Sequence, residues 1–282
     1  MMIHERFRRQ DISPSRRRFT TVLALAAVLA GCAANPPEKF ADSDAKTDVS
    51  ETLAQSAGES RARGDFAGAA TLYRHAHAAS PEQTAPLIGL GQVQASSGAP
   101  KDAAETFRRA LALEPQNVEA LRGLGNAMVA IDQPELAIGH YERALTVSPA
   151  DPRVFNGLGV ANDLLGKHKD AQDYYRAGLS VKPDDTSLKT NLGLSLAFAG
   201  EHDAGIDVLR ELATASQASI QNRQNLALAL GLAGRNRDAA KIASADLDER
   251  SVRSNVVFYE TLRAMKDSVQ RVRAIHARYA AR

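Results

Sequence analysis

A set of residues recurs along this chain every 34 positions. Across 118–151 its anchors are Leu121, Leu124, Gly125 and Met128, then Ala137, Tyr141 and Pro149. One period earlier stand Leu87, Leu90, Gly91, Ala103, Phe107 and Pro115, and one period later Phe155, Leu158, Gly159, Ala171, Tyr175 and Pro183. So many residue types held in phase leave little choice of fold. A chain built this way stacks one supersecondary unit on copies of itself, because a single unit cannot bury its apolar face alone.

Each unit reads as a helix, a tight turn and a second helix. Gly91, Gly125, Gly159 and Gly193 fall where the first helix needs almost no side chain, so that a neighbouring helix can approach. Ala69, Ala103, Ala137, Ala171 and Ala239 serve the second helix in the same way, and Tyr73, Phe107, Tyr141 and Tyr175 fill the remaining space. Gly64, Gly98, Gly166, Gly200 and Gly234 lie between the two helices, where a left-handed residue ends the first. Pro81, Pro115, Pro149 and Pro183 stop the second helix, and Asp151-Pro152 reads as an N-cap followed by proline at the first helical position.

The unit resembles the tetratricopeptide repeat, which implies an all-α superhelical solenoid. Phase alone sets out six units: 50–83, 84–117, 118–151, 152–185, 186–219 and 220–253. The first carries Ser56 and Ala57 in place of Leu-Gly, as terminal repeats do. The fifth has Gly205, Leu209 and Gln217 where alanine, an aromatic and proline are expected, and the sixth shortens around 245–250. Over 254–282 the chain reads as a C-terminal capping helix and a basic tail. Val252, Val256, Tyr259 and Leu262 recur at helical spacing. Beyond them Arg271, Arg273, Arg278 and Arg282 alternate with Val269, Val272 and Ile275, a basic amphipathic tail or a frayed end.

Ahead of the repeats stands a leader. Six arginines precede an apolar run from Phe19 to Ala30, which is short for a membrane span. With Glu5 and Asp11 they give 1–31 a charge of +4, so the rest of the chain carries +2 − 4 = −2. The basic balance is therefore no sign of a nucleic-acid partner. The run ends in Leu29-Ala30-Gly31-Cys32, similar to the lipobox of bacterial lipoproteins. That resemblance implies that 1–31 is a lipoprotein signal peptide, that Cys32 is lipidated, and that no cofactor is carried beyond this covalent lipid. Ala33 after the cysteine implies delivery to the periplasmic face of the outer membrane. Ser15-Arg16-Arg17-Arg18-Phe19 also resembles a twin-arginine export signal, so two export routes stay open. Residues 32–49, small and polar with Pro36-Pro37, read as a flexible tether.

Chemistry is harder to find. Gly89-Leu90-Gly91, Gly123-Leu124-Gly125 and Gly157-Leu158-Gly159 resemble the start of a nucleotide fingerprint, but the third glycine is missing and the stretch lies within a helix. Gly193-Leu194-Ser195 lacks the strand of a nucleophile elbow. The seven histidines do not converge, and Cys32 is the lone cysteine, so neither a metal site nor a catalytic site is expected. What remains is binding. In tetratricopeptide repeats the second, fifth, ninth and twelfth positions of each unit face a concave surface. Here they supply Gln92, Glu119, Arg122, Asn126, Arg153, Asn156, Asp163, Gln221 and Gln224, a polar groove suited to an extended or helical peptide. Arg122 and Asn126 resemble half of a carboxylate clamp, but Gly157, Ser187 and Asn191 depart from its other half.

The lipobox, the tether, the repeats and the closing stretch from Asn255 to Met265 together resemble TadD, the tetratricopeptide lipoprotein of the tight-adherence (Flp) pilus system. The resemblance implies a non-enzymatic scaffold with protein partners, the pilus secretin or other assembly components among them, and pilotin-like help to the secretin. An envelope adaptor that organises peptidoglycan hydrolases is the alternative, and a periplasmic enzyme a more remote one. The leader generates a direct test. In cells labelled with palmitate the wild-type chain should take up label, and Cys32→Ser should remain an unlabelled, uncleaved precursor. Label retained by the serine variant would remove the lipid from Cys32.

Overall fold

The computed structural model describes residues 39–280. The leader 1–31, Cys32 and the first part of the stretch read as a tether lie outside the described residues. Six helix pairs follow one another: α1 Lys39–Ala62 with α2 Phe66–Ala79, α3 Ala85–Ser96 with α4 Pro100–Leu113, and α5 Val118–Ala130 with α6 Pro134–Val147. Then come α7 Pro152–Leu164 with α8 His168–Val181, α9 Thr186–Phe198 with α10 His202–Thr214, and α11 Ile220–Leu232 with α12 Asn236–Ala243. Two further helices, α13 Glu249–Ala264 and α14 Ser268–Ala280, complete an all-α solenoid in which no strand occurs among the described residues. No described helix is long and apolar enough to cross a membrane.

Local chemistry sets the helix ends. Asn117, Asp151, Asp185 and Asp248 each accept a hydrogen bond from a backbone N–H of the turn they open, and Ser219 forms a capping box with Asn222. Where no cap is present, Pro100 and Pro134 take the first helical position and remove a donor that would have lacked a partner. One boundary differs from the sequence reading. α1 starts at Lys39, inside the stretch read as tether. Between Pro37 and Gly58 the chain holds neither glycine nor proline, so nothing stops the helix from propagating backwards from its packed part. That packed part begins at Ser50, whose hydroxyl is buried and donates to the carbonyl of Ala76 at 2.9 Å.

The turn between paired helices requires a left-handed residue. Gly64, Gly98, Gly166, Gly200 and Gly234 supply it with φ between 72° and 88°. In the third unit Asp132 takes the same place at φ 59°. A non-glycine residue there is strained, though Asp tolerates the region better than most residues.

The glycines inside the first helices receive aromatic rings. A Cβ on Gly125 would fall 2.6 Å from the Tyr141 ring, and one on Gly157 would fall 2.5 Å from the same ring. Tyr141 is thus held between a glycine of its own unit and a glycine of the next. Phe107 sits in the same way between Gly91 and Gly123. The Gly-x-Gly motifs are therefore double sockets: the first glycine takes the ring of the preceding unit, the second the ring of its own. In the fifth unit Asn191 stands where the first socket glycine would be, and α9 and α10 approach backbone to backbone instead. A Cβ on Gly205 would lie 2.5 Å from the Gly193 carbonyl oxygen. At the far end α13 lays Tyr259 against Gly231, and Arg263 donates to the Gly231 carbonyl at 2.6 Å.

Two alanine substitutions should separate socket from surface. Gly125→Ala pushes a methyl group into a ring that Gly157 prevents from retreating. It should lower stability by about 1–3 kcal/mol through overpacking. Gly139 in α6 is exposed, and a Cβ there would meet nothing within 4 Å. Gly139→Ala should stabilise by about 0.5–1 kcal/mol. Urea melts followed by circular dichroism would read both, and equal midpoints would show that the ring yields.

Candidate binding groove

The first helices α3, α5, α7, α9 and α11 pack side by side, each against the next. Their polar side chains are tied to one another across the stack. Arg61 of α1 bonds the amide oxygen of Gln92, and the Gln92 amide donates to Glu119 at 2.6 Å. Glu119 in turn faces Arg122 at 3.8 Å. Further along, the Asn191 amide donates to Asn156 at 2.8 Å, linking α9 to α7, and Gln221 donates to Asn225 at 3.0 Å within α11. Gln92, Glu119, Arg122 and Asn126 line one open space of about 200 Å³ beside Phe107.

The residues read as one groove have different fates. Glu119, Asn126, Arg153 and Gln221 are exposed, and Gln92 and Asn156 are half-buried. Arg122 is not free: 17% of its side chain is exposed, and its Nε is buried without a partner. Burial first, and the like charge of Arg153 second, pull its pKa down, while Glu119 and Asp151 partly hold it up. Asn126 accepts the Tyr141 hydroxyl at 2.7 Å, so both members of the half-clamp are spent inside the repeat. Burial opposes ionisation of Asp151, but hydrogen bonds from the Arg153 side chain and backbone hold its carboxyl below the usual range. Gln224 is buried near Asp246 and lies outside the open face.

Asp163 departs furthest from a groove residue. It is 6% exposed, and its carboxylate meets the His168 Nδ1 at 2.8 Å, the Ser195 hydroxyl at 2.7 Å and the Tyr175 hydroxyl at 3.0 Å. Burial raises its pKa, and these hydrogen bonds pull it partly back. Three residues of nucleophilic catalysis thus stand together, yet their order is wrong for it. Ser195 donates to the carboxylate and to the His168 carbonyl oxygen at 3.3 Å, while the outer ring nitrogen of His168 is buried without a partner. A nucleophile must instead bond to its base. The cluster fastens α7, α8 and α9 together. Its signal in the sequence was periodic: Val129 and Ala197 occupy the Asp163 phase, and Ala161 and Ala229 the Ser195 phase. Among the described residues no group of His, Cys, Asp and Glu could hold a metal ion.

The groove also has an occupant that the sequence reading missed. α14 folds back against α7 and buries Val272 and Ile275 in the core with Leu164, Phe198 and Leu228. Arg273 reaches Asp132, the strained turn residue of the third unit, at 3.2 Å. Arg278 stacks 4.2 Å over the Phe258 ring and donates to Asn255 at 2.9 Å, returning the helix to α13. The basic tail is therefore an ordered helix as far as Ala280.

Two tetratricopeptide repeat profiles match the chain, one over 60–108 and 94–156, the other over 165–220. The chain belongs to the tetratricopeptide repeat family. Its structure is similar to that of PilW, a widely conserved type IV pilus biogenesis factor, with TM-score 0.63 and 18% identity over 70% of this chain and 93% of that one. It is also similar to PilF of Pseudomonas aeruginosa, at TM-score 0.58 and 21% identity over 71% and 90% of the two chains. A thermophilic TPR protein of Thermus thermophilus matches at TM-score 0.57 and 20% identity, over 64% and 98%. At these identities the likeness is one of fold. No curated protein sequence matches the chain.

The buried cluster generates the test of this description. Asp163→Ala leaves the buried His168 ring and Tyr175 hydroxyl without their acceptor, and Ser195 with the His168 carbonyl alone, and should cost about 2–5 kcal/mol. Gln221→Ala, on the exposed face, should shift stability by less than about 0.5 kcal/mol. Equal thermal midpoints would show that the carboxylate organises nothing.

Proposed function

We propose that this protein is a lipid-anchored, non-enzymatic scaffold of the cell envelope. It holds segments of partner proteins along the concave face of its repeats and assists assembly of a tight-adherence pilus, helping the secretin in the manner of a pilotin. The observation that carries the reading is the row of first helices, which presents exposed polar side chains beside an open space of about 200 Å³ and already seats one helix, α14. Such a surface suits helix-in-groove or extended-peptide recognition. The lipobox at 29–32 supports the anchor, and its Ala33 supports the outer membrane as destination. The likeness to PilW, itself a pilus biogenesis factor, agrees with a pilus role but rests on fold.

The test uses the N-terminal half of α7, which α14 leaves uncovered. Arg153 is exposed, and Asn156 serves only as acceptor for Asn191, a role glutamate can keep. Arg153→Glu with Asn156→Glu should leave helicity intact but cost about 1–3 kcal/mol, because the Asp151 carboxyl loses its Arg153 partner. It should also reduce recovery of envelope partners about tenfold, because charges at a rim steer encounter. Surface pilus counts and secretin multimers in membrane fractions should fall with it. Normal piliation and normal secretin in cells carrying the correctly localised variant would overturn the pilus role.

A further inference from the structure

We propose that α14 is a replaceable occupant of the groove, and that the partner it gives way to is an amphipathic helix with larger aliphatic residues at the same positions. This rests on reading the groove as a protein-binding surface. α14 fills its seat poorly. Between α14 and the helices α7, α9 and α11 lies a space of about 400 Å³, walled by Val160, Leu194, Phe198, Leu228, Val272 and Ile275. On its other side, against α5, lies a second space of about 500 Å³ that reaches Val129, Leu164, Arg273 and Ala277. Both spaces are open clefts with mostly apolar walls, so a side chain that filled them would remove apolar area from water. The helices of the repeat seat their rings in fitted sockets, whereas α14 presents only Val272 and Ile275 as fully buried side chains among its described ones.

Its attachment is equally slight. The link from α13 is the non-helical stretch Met265, Lys266 and Asp267, with Met265 extended at ψ 121°. Among the described residues the polar hold includes the Arg273–Asp132 pair, exposed on both sides, the Arg278 contacts with α13, and a bond from Arg271 to the Met265 carbonyl of the link. Exposed pairs of this kind hold weakly. α14 owes its place to being tethered, which gives it a high effective concentration over the groove. A helix that fills both spaces can compete with it. The chemistry of the seat states what such a helix carries: bulk at the positions of Val272 and Ala277, an aliphatic residue at that of Ile275, and a cation to meet Asp132.

The experiment uses the full mature chain and labelled synthetic peptides of its residues 268–282. One has the native sequence and the other carries Val272→Leu with Ala277→Leu, which fills both spaces. The filled peptide should bind about tenfold more tightly than the native one, and at saturation it should speed hydrogen exchange of the α14 amides about tenfold while those of α5, α7 and α9 stay protected. Val272→Glu with Ile275→Glu in the full chain should bare the groove and improve binding of the native peptide by a similar factor. If that variant does not fold, displacement in the wild-type chain decides alone. Unchanged α14 exchange at saturating filled peptide would overturn the proposal, as would wild-type dimers formed by exchange of α14, which would make a second copy the occupant. Displacement in vitro with normal pili in Arg153→Glu/Asn156→Glu cells would sink the pilus role and leave this inference standing.

Discussion

An aromatic ring held between two glycines joins the second unit to the third and the third to the fourth. Phe107 between Gly91 and Gly123, and Tyr141 between Gly125 and Gly157, each bridge a helix pair to the first helix of the following pair. The ring brings the dispersion energy of a large buried side chain, and the two missing Cβ atoms let it lie against helix backbone on both faces. Everything on the concave side follows from that spacing. The first helices of the second and third units stand close enough for Gln92 to reach Glu119. Widening the Phe107 socket would part that pair as well.

Where the ring socket is absent, polar chemistry replaces it. Asn191 takes a socket-glycine position in the fifth unit, and the Tyr175 hydroxyl turns to Asp163, already bonded to His168 and Ser195. Such a cluster is costly to leave half-satisfied, so it fixes one arrangement of α7, α8 and α9 where an apolar contact would tolerate several. The same region changes the helix contact, since α9 and α10 meet through Gly193 and Gly205 with no ring between them.

How much of this could be read from the sequence depends on the range of the interaction. The period announces six helix pairs, the positive-φ glycines and the paired glycines, because each repeats at fixed spacing and its cause is local. The identity of the body pressed against those glycines is not local. The spacing suggests a helix and the structure holds a ring, because side-chain direction across a unit boundary is not encoded in phase. Single departures from the repeat are the signals that phase passes over. Asp132 stands where other units have glycine, and Asp163 where the units on either side have valine and alanine, and both prove to be points of long-range contact. The position rule that places Asp163 and Gln224 on an open groove assumes that every unit curves alike and that nothing covers the face. The fold of α14 breaks the second assumption, and a basic amphipathic stretch does not by itself name the surface it will meet.

The groove is thereby divided in two, and the halves have different physical uses. Along α3 and α5 the exposed groups are already paired with one another, so a ligand there exchanges one set of polar contacts for another and gains little net free energy. Such a region discriminates, because a wrong ligand leaves Glu119 or Asn126 without a partner. Along α7, α9 and α11 the walls are mostly apolar, with Asn191, Gln221 and Asn225 among them, and incompletely filled, so a ligand there gains chiefly from apolar area removed from water. Affinity then resides with the half that α14 covers, and selectivity with the half it leaves open. A partner that touches only the open half would bind weakly while α14 stays in place. One that spans both must give back the contacts of Val272 and Ile275 before it gains its own, which lowers its apparent affinity by the fraction of time α14 is away.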